Sequence, residues 1–97
     1  MDYKSFNYTL DMGQPPSGFS APAKALWWER KGYWEKAHEI VKDLTGKDAA
    51  WVHAYLHRKG GDLMNAAYWY DQAGKKDTTK DHDEEFREII GSLLPDN

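Results

Sequence analysis

The strongest constraint on the fold is a self-similarity of the chain at an offset of 29 residues. Apolar residues recur at three- and four-residue steps on either side of a glycine in each unit, which predicts two helices joined by a tight turn. Each predicted hairpin leaves one face apolar, so the two hairpins must stack. The shift pairs Ala25 with Ala54, Gly32 with Gly61, Trp34 with Leu63, Ala37 with Ala66, Val41 with Tyr70, and Leu44 with Ala73.

The first hairpin is predicted from a helix start and a glycine stop. Ser20 supplies a side-chain cap, and Pro22 fits the first helical turn, where a missing N–H costs nothing. The first helix is therefore predicted over 21–31, ending at Gly32, and the second over 33–44.

The second hairpin is predicted from two aspartates and a glycine. Asp48 is expected to cap a helix over 49–59, and Asp62 a helix over 62–73. Gly74 can take the left-handed conformation that ends a helix. The spacing of these signals predicts short helices.

The segments that flank the hairpins are predicted to differ. Residues 1–20 contain two adjacent prolines and no sustained period, which predicts an irregular N-terminal arm. After a polar connection over 75–80, one narrow apolar stripe on a charged segment predicts a fifth, capping helix. Residues 21–97 are thus predicted to form one all-α domain. The stripe comprises Phe86, Ile89, Ile90, Leu93 and Leu94.

The second hairpin carries a pattern typical of helical repeats. It consists of Gly61, Asp62, Leu63, Ala66, Tyr70 and Ala73. This pattern resembles the second helix of a tetratricopeptide repeat, and Tyr-Trp-Tyr before the last alanine is similar to Sel-one-like repeats. The resemblance covers about 21–74 and implies a short stack with an inner surface, although the period of 29 is shorter than 34. HEIVKD, AAWVHAYLHRKGGD and NAAYWY also resemble a group of small uncharacterised bacterial proteins, which implies no function.

Composition and charge narrow the classes of function. The net charge of -3 comes from 13 basic and 16 acidic residues. The basic residues are spread among acidic ones, which argues against nucleic-acid binding. The chain has no cysteine, which excludes disulfides and thiolate metal sites. Without a secretory signal or an apolar stretch long enough to span a bilayer, we expect a cytoplasmic protein with no membrane partner.

Two histidines on the third predicted helix raise the question of a metal site. His53 and His57 lie four residues apart, so both imidazoles are on one helix face, and His38 or Glu39 could supply a third ligand. The favoured interpretation is a half-buried, hydrogen-bonded cluster, under which zinc should not raise the melting temperature. The alternative is a metal or small-ligand site at His38, His53 and His57.

No sequence motif indicates catalysis. Asp62 and Glu35 lie near predicted helix starts, where a carboxylate complements the helix dipole. The chain has no phosphate-binding loop and no nucleophile motif. We therefore expect a non-catalytic protein that needs no cofactor, although an enzyme site assembled from distant residues stays open.

A stripe of aromatic and basic residues is the favoured functional surface. Trp51, Tyr55 and Arg58 follow at steps of four and three, and such residues are frequent at interface hot spots. The repeat resemblance places them on the inner surface, flanked by Glu29 and Arg30. The favoured function is a small interaction module for a peptide or partner helix. The sequence is also compatible with a homo-oligomer. It is equally compatible with a stripe that is covered by the N-terminal arm or by the last helix. The core is assigned to Trp34, Leu63 and Tyr70.

Overall fold

The computed structural model describes residues 1–76 and 80–95, and these residues form six α-helices and no strand. The prediction of an all-α chain is confirmed. The prediction of five helices is wrong, because the N-terminal segment contains an additional one. The helices are α1 (Tyr3–Thr9), α2 (Ala21–Arg30), α3 (Trp34–Val41), α4 (Lys47–Lys59), α5 (Leu63–Ala73) and α6 (His82–Leu93).

Helix α1 corrects the prediction that residues 1–20 are irregular throughout. The Asp2 side chain caps its first turn by accepting a hydrogen bond from the backbone N–H of Ser5 at 2.8 Å. Phe6 is fully buried, with its ring centroid 6.0 Å from that of Phe19 and 5.5 Å from that of Phe86. A seven-residue helix is too short to be stable alone, so this one depends on packing against the rest of the chain.

The predicted helix ends at Ser20, Asp62 and Gly74 agree with the structure, whereas α3 ends at Val41 and not at residue 44 as predicted. Ser20 and Asp62 each accept a hydrogen bond from a first-turn N–H, and Gly74 ends α5 in the left-handed conformation. The start of α4 differs, because its N-cap is Gly46 with a φ of 102° and not Asp48. Asp48 instead lies in the first turn, where its charge complements the helix dipole.

The helices pack as two successive pairs with α6 and α1 on one side. α2 packs along α3, α4 packs along α5, and α3 also packs against α4. α6 lies against α4 and α2, and α1 lies against α6. The contact between α3 and α4 positions the candidate site, because histidines of both helices meet there.

The predicted core residues differ in their burial. Tyr70 is 2% exposed and Trp34 is half-buried. Leu63 is 66% exposed, so its assignment to the core is wrong. The 29-residue offset pairs Leu63 with Trp34. The Trp34 side chain is covered by α4, whereas α6 packs along α4 and α2 and reaches α5 at Tyr70, away from Leu63.

Candidate metal site

Three imidazoles converge where α3 packs on α4. His38 comes from α3, and His53 and His57 come from successive turns of one face of α4. One ring nitrogen of each lies within 4.8 Å of the other two. The Nε2 atoms of His38 and His53 are 3.1 Å apart. The fold therefore brings together the three histidines that the sequence offered as one candidate site.

Two tryptophans pack against the histidine rings. Trp34 stacks on His38 with ring centroids 5.1 Å apart, and its Nε1 donates a hydrogen bond to the carbonyl of Leu56 at 2.8 Å. Trp69, from α5, stacks on His53 with centroids 4.1 Å apart. His53 is consequently only 4% exposed. The stacked rings restrict rotation of the imidazoles of His38 and His53.

The environment keeps two of the imidazoles uncharged. Burial, with smaller contributions from the rings of His57 and His38, lowers the pKa of His53 to about 4. Burial and His38 also lower the pKa of His57, against the opposing effect of the Asp62 carboxylate. Both rings are neutral at pH 7, and a neutral imidazole has the lone pair that a metal ion requires.

One pair of ring nitrogens has a separation close to that in a zinc site, whereas separations in the cluster reach up to 4.8 Å, so the three rings must move closer together to bind one ion. A hydrogen bond between two neutral imidazoles needs a proton on one Nε2 and a lone pair on the other. Nδ1 of His53 is buried without a hydrogen-bond partner in the described part of the chain. In a tetrahedral zinc site with bonds of about 2.0–2.1 Å, the ligand nitrogens are about 3.3 Å apart. The observed 3.1 Å between His38 and His53 is close to that separation.

A carboxylate lies beside the third imidazole. Oδ2 of Asp62 is 4.0 Å from Nδ1 of His57, and the same side chain caps α5. A carboxylate next to the outer nitrogen of a metal-bound imidazole fixes the tautomer and raises the basicity of the ring. Asp62 is therefore placed to support His57 as a ligand, and it connects α5 to the site.

The predicted binding stripe lies beneath α6 and does not form an open groove. Trp51 is 8% exposed and Tyr55 is fully buried. Nε1 of Trp51 donates to the carboxylate of Glu85 at 3.2 Å, and Nη1 of Arg58 donates to it at 2.9 Å. The structure thus shows the covered arrangement that the sequence left open, in which the last helix packs over the stripe.

The two residues predicted to flank that groove also make contacts within the fold. Glu29 is 6% exposed and pairs with Lys59 of α4. Arg30 pairs with Asp83 of α6 at 3.0 Å, and its guanidinium lies 3.8 Å from the ring centroid of Phe86. Both residues therefore connect α2 to neighbouring helices.

Sequence reasoning missed two residues that these contacts depend on. Glu85 is 2% exposed and accepts hydrogen bonds from three side chains, including the hydroxyl of Tyr70. A signal for its burial exists, because Glu85 lies four residues before Ile89 and so shares the apolar face of α6. Trp69 was missed as the residue that stacks on His53, since that contact depends on how α5 packs along α4.

Comparison of the chain with protein-family models, with curated proteins and with solved structures gave no match. The resemblance to tetratricopeptide and Sel-one-like repeats therefore stays a prediction from the sequence pattern. Within residues 1–76 and 80–95, none of the helices is long and apolar enough to cross a lipid bilayer.

Proposed function

We propose that this chain binds one divalent transition-metal ion through His38, His53 and His57. The observation that supports the proposal is the convergence of one ring nitrogen from each residue within 4.8 Å. A histidine pair at a four-residue step is common on helices and is weak evidence alone. The third imidazole comes from a different helix and completes the three-histidine set that zinc sites use.

The donor set selects the class of ion. Magnesium and calcium prefer oxygen ligands, whereas neutral imidazole suits Zn²⁺, Cu²⁺, Ni²⁺ and Co²⁺. The chain contains no cysteine, so no thiolate competes for the ion. Three imidazoles leave a fourth position of a tetrahedral ion for water or an added ligand.

The proposed role of the ion is to stabilise the packing of α3 on α4. Its ligands come from both helices, which already share the hydrogen bond from Trp34 to the carbonyl of Leu56. Metal binding to a site that requires the folded arrangement adds its free energy to folding. Trp34 and Trp69 pack on two of the ligand rings, so a bound ion would lie within the packed helices.

The two helix pairs are proposed to be tetratricopeptide-like repeats. Two observations support this: Gly32 and Gly61 both have positive φ, at 97° and 87°, and Ala37 and Ala66 are both buried. An interaction function for such a stack would have to use a surface other than the stripe beneath α6.

Equilibrium dialysis against zinc at neutral pH tests the proposed metal site. We expect the metal-free protein to take up about one zinc per chain and His53→Ala to lose this binding, because His53 is the most enclosed ligand of the three. His38→Ala and His57→Ala should each weaken binding by at least about tenfold.

The matched control for these substitutions is His82→Ala. His82 lies on α6, outside the three-histidine cluster. This variant should bind zinc as the wild type does. Equal loss of binding in His82→Ala, or unchanged binding in all three cluster variants, would show that zinc binds elsewhere on the chain.

A further inference from the structure

Three of the residues predicted to line an open groove carry buried polar atoms that have no hydrogen-bond partner within residues 1–76 and 80–95. These atoms are the hydroxyl oxygen of Tyr55, Oε2 of Glu29, and Nε and Nη2 of Arg30. Tyr55 is fully buried and Glu29 is 6% exposed. The Arg30 side chain is 23% exposed, but these two nitrogens are themselves buried. Because a buried polar atom without a partner destabilises a fold, the four atoms indicate a further group that binds them.

The contacts of these residues place the four atoms at one junction of α2, α4 and α6. Glu29 pairs through Oε1 with Lys59, which lies four residues after Tyr55 on the same face of α4. The Arg30 guanidinium lies 3.8 Å from the ring centroid of Phe86, and the ring centroid of Tyr55 lies 5.9 Å from the same point. Burial raises the pKa of Tyr55, and the Glu29 carboxylate raises it further, whereas the Arg30 guanidinium opposes the increase. The hydroxyl of Tyr55 is therefore close enough to both charged groups to be affected by each.

The two charges at this junction are already paired within the fold. Nη1 of Arg30 donates to the carboxylate of Asp83 at 3.0 Å, and the ammonium of Lys59 pairs with Glu29. An added anion would be repelled by Glu29, and an added metal ion would be repelled by Arg30. The group that the four atoms can hold together is therefore small and uncharged. It must accept a hydrogen bond from Arg30, which only donates, and donate one to Glu29, which only accepts.

We propose that the junction of α2, α4 and α6 binds one internal water molecule. Water accepts from the Arg30 guanidinium and donates to Oε2 of Glu29, and the Tyr55 hydroxyl is its third partner. Internal waters in globular proteins make about three hydrogen bonds to buried polar groups. This water links α2 to α4 and gives the hydroxyl of Tyr55 a partner in the interior of the fold. None of its three partners belongs to the histidine cluster, so the water site does not depend on a bound metal.

Water-selective nuclear Overhauser spectra of the wild-type chain test the proposal. We expect a cross-peak between the water resonance and the Nε proton of Arg30. Its sign should differ between the laboratory frame and the rotating frame, because an internal water stays bound for longer than the protein takes to tumble. Proton exchange with solvent gives the same sign in both frames and is thereby distinguished from a bound water. A wild type with no cross-peak of opposite signs at Arg30 would overturn the proposal.

Tyr55→Phe separates the water from the Tyr55 hydroxyl, whose own proton can exchange with solvent. Arg30 and Glu29 still hold the water in this variant, so the cross-peak should persist at reduced intensity. Its complete loss in folded Tyr55→Phe would assign the signal to the hydroxyl and overturn the proposal.

The Nε proton of Arg87 is the matched control within the same spectra. The Arg87 side chain is 59% exposed, and its Nε donates to Asp83 at 3.1 Å. Since only short-lived surface water reaches this proton, it should show no cross-peak of opposite signs. A cross-peak of the same kind at Arg87 and Arg30 would mean that surface water produces both signals, and would also overturn the proposal.

Discussion

Zinc at one hundred times its dissociation constant is expected to raise the free energy of unfolding of the wild-type chain by about 2.7 kcal/mol. For a domain of this size, that corresponds to an increase in melting temperature of roughly 10–20 °C. The reason is geometric: His38 lies on α3 and His53 and His57 on α4, so the complete ligand set exists only when the two helices are packed. Thermal unfolding followed by circular dichroism, with and without zinc, measures the effect. This expectation replaces the interpretation favoured by the sequence, under which zinc has no effect.

Two variants, His53→Ala and His82→Ala, distinguish stabilisation by zinc bound at the three histidines from stabilisation by zinc bound elsewhere. The first should show almost no increase in melting temperature with zinc, and the second should keep the full increase. An increase of the same size in His53→Ala would mean that zinc acts outside the cluster. If zinc did not raise the melting temperature of the wild type, the three histidines would contribute only to helix packing.

Arg58→Met is expected to destabilise the chain by about 3–5 kcal/mol, a large part of the stability of a small domain. The guanidinium of Arg58 pairs with Glu85, whose side chain is 3% exposed, and also donates to the carbonyl of Lys80. Methionine retains apolar volume but leaves a buried carboxylate without its charged partner. Trp51 and Tyr70 still donate to Glu85, so the variant should fold at low temperature. Urea unfolding gives the free energy directly.

Lys42→Met is the control for that experiment, because it breaks an ion pair in water. Lys42 pairs with Glu39 at 2.7 Å, but both side chains are largely exposed. Screening by solvent should make its effect on the free energy of unfolding much smaller than that of Arg58→Met. If Arg58→Met cost no more than Lys42→Met, the Glu85 carboxylate would not depend on its charged partner, and the account of how α6 covers α4 would be wrong.

Features determined by neighbouring residues were predictable from the sequence. Ser20 and Asp62 cap helices through hydrogen bonds to N–H groups within the next turn, and Gly74 ends α5 through its own backbone conformation. The histidine cluster could also be predicted, because His53 and His57 are four residues apart and therefore share one helix face. Its third member, His38, required only that consecutive helices be neighbours.

Features that depend on distant packing were not predictable in the same way. The enclosure of Trp51 and Tyr55 depends on the position of α6, which begins more than twenty residues later. The amphipathic pattern of α6 shows that one face of this helix must be buried. It does not identify the face of α4 against which α6 packs. Leu63 was misassigned because the repeat pattern implies a following helix pair, and α6 packs elsewhere.

The most direct test of the metal site is the X-ray absorption spectrum of the zinc-loaded protein, which counts the imidazole ligands around the ion. The three-histidine site predicts three imidazole nitrogens at about 2.0–2.1 Å in the wild type and two in His38→Ala. A ligand shell with one imidazole or none would contradict it. A three-imidazole shell that persists unchanged in His38→Ala would contradict it as well, because the ion would then not join α3 to α4.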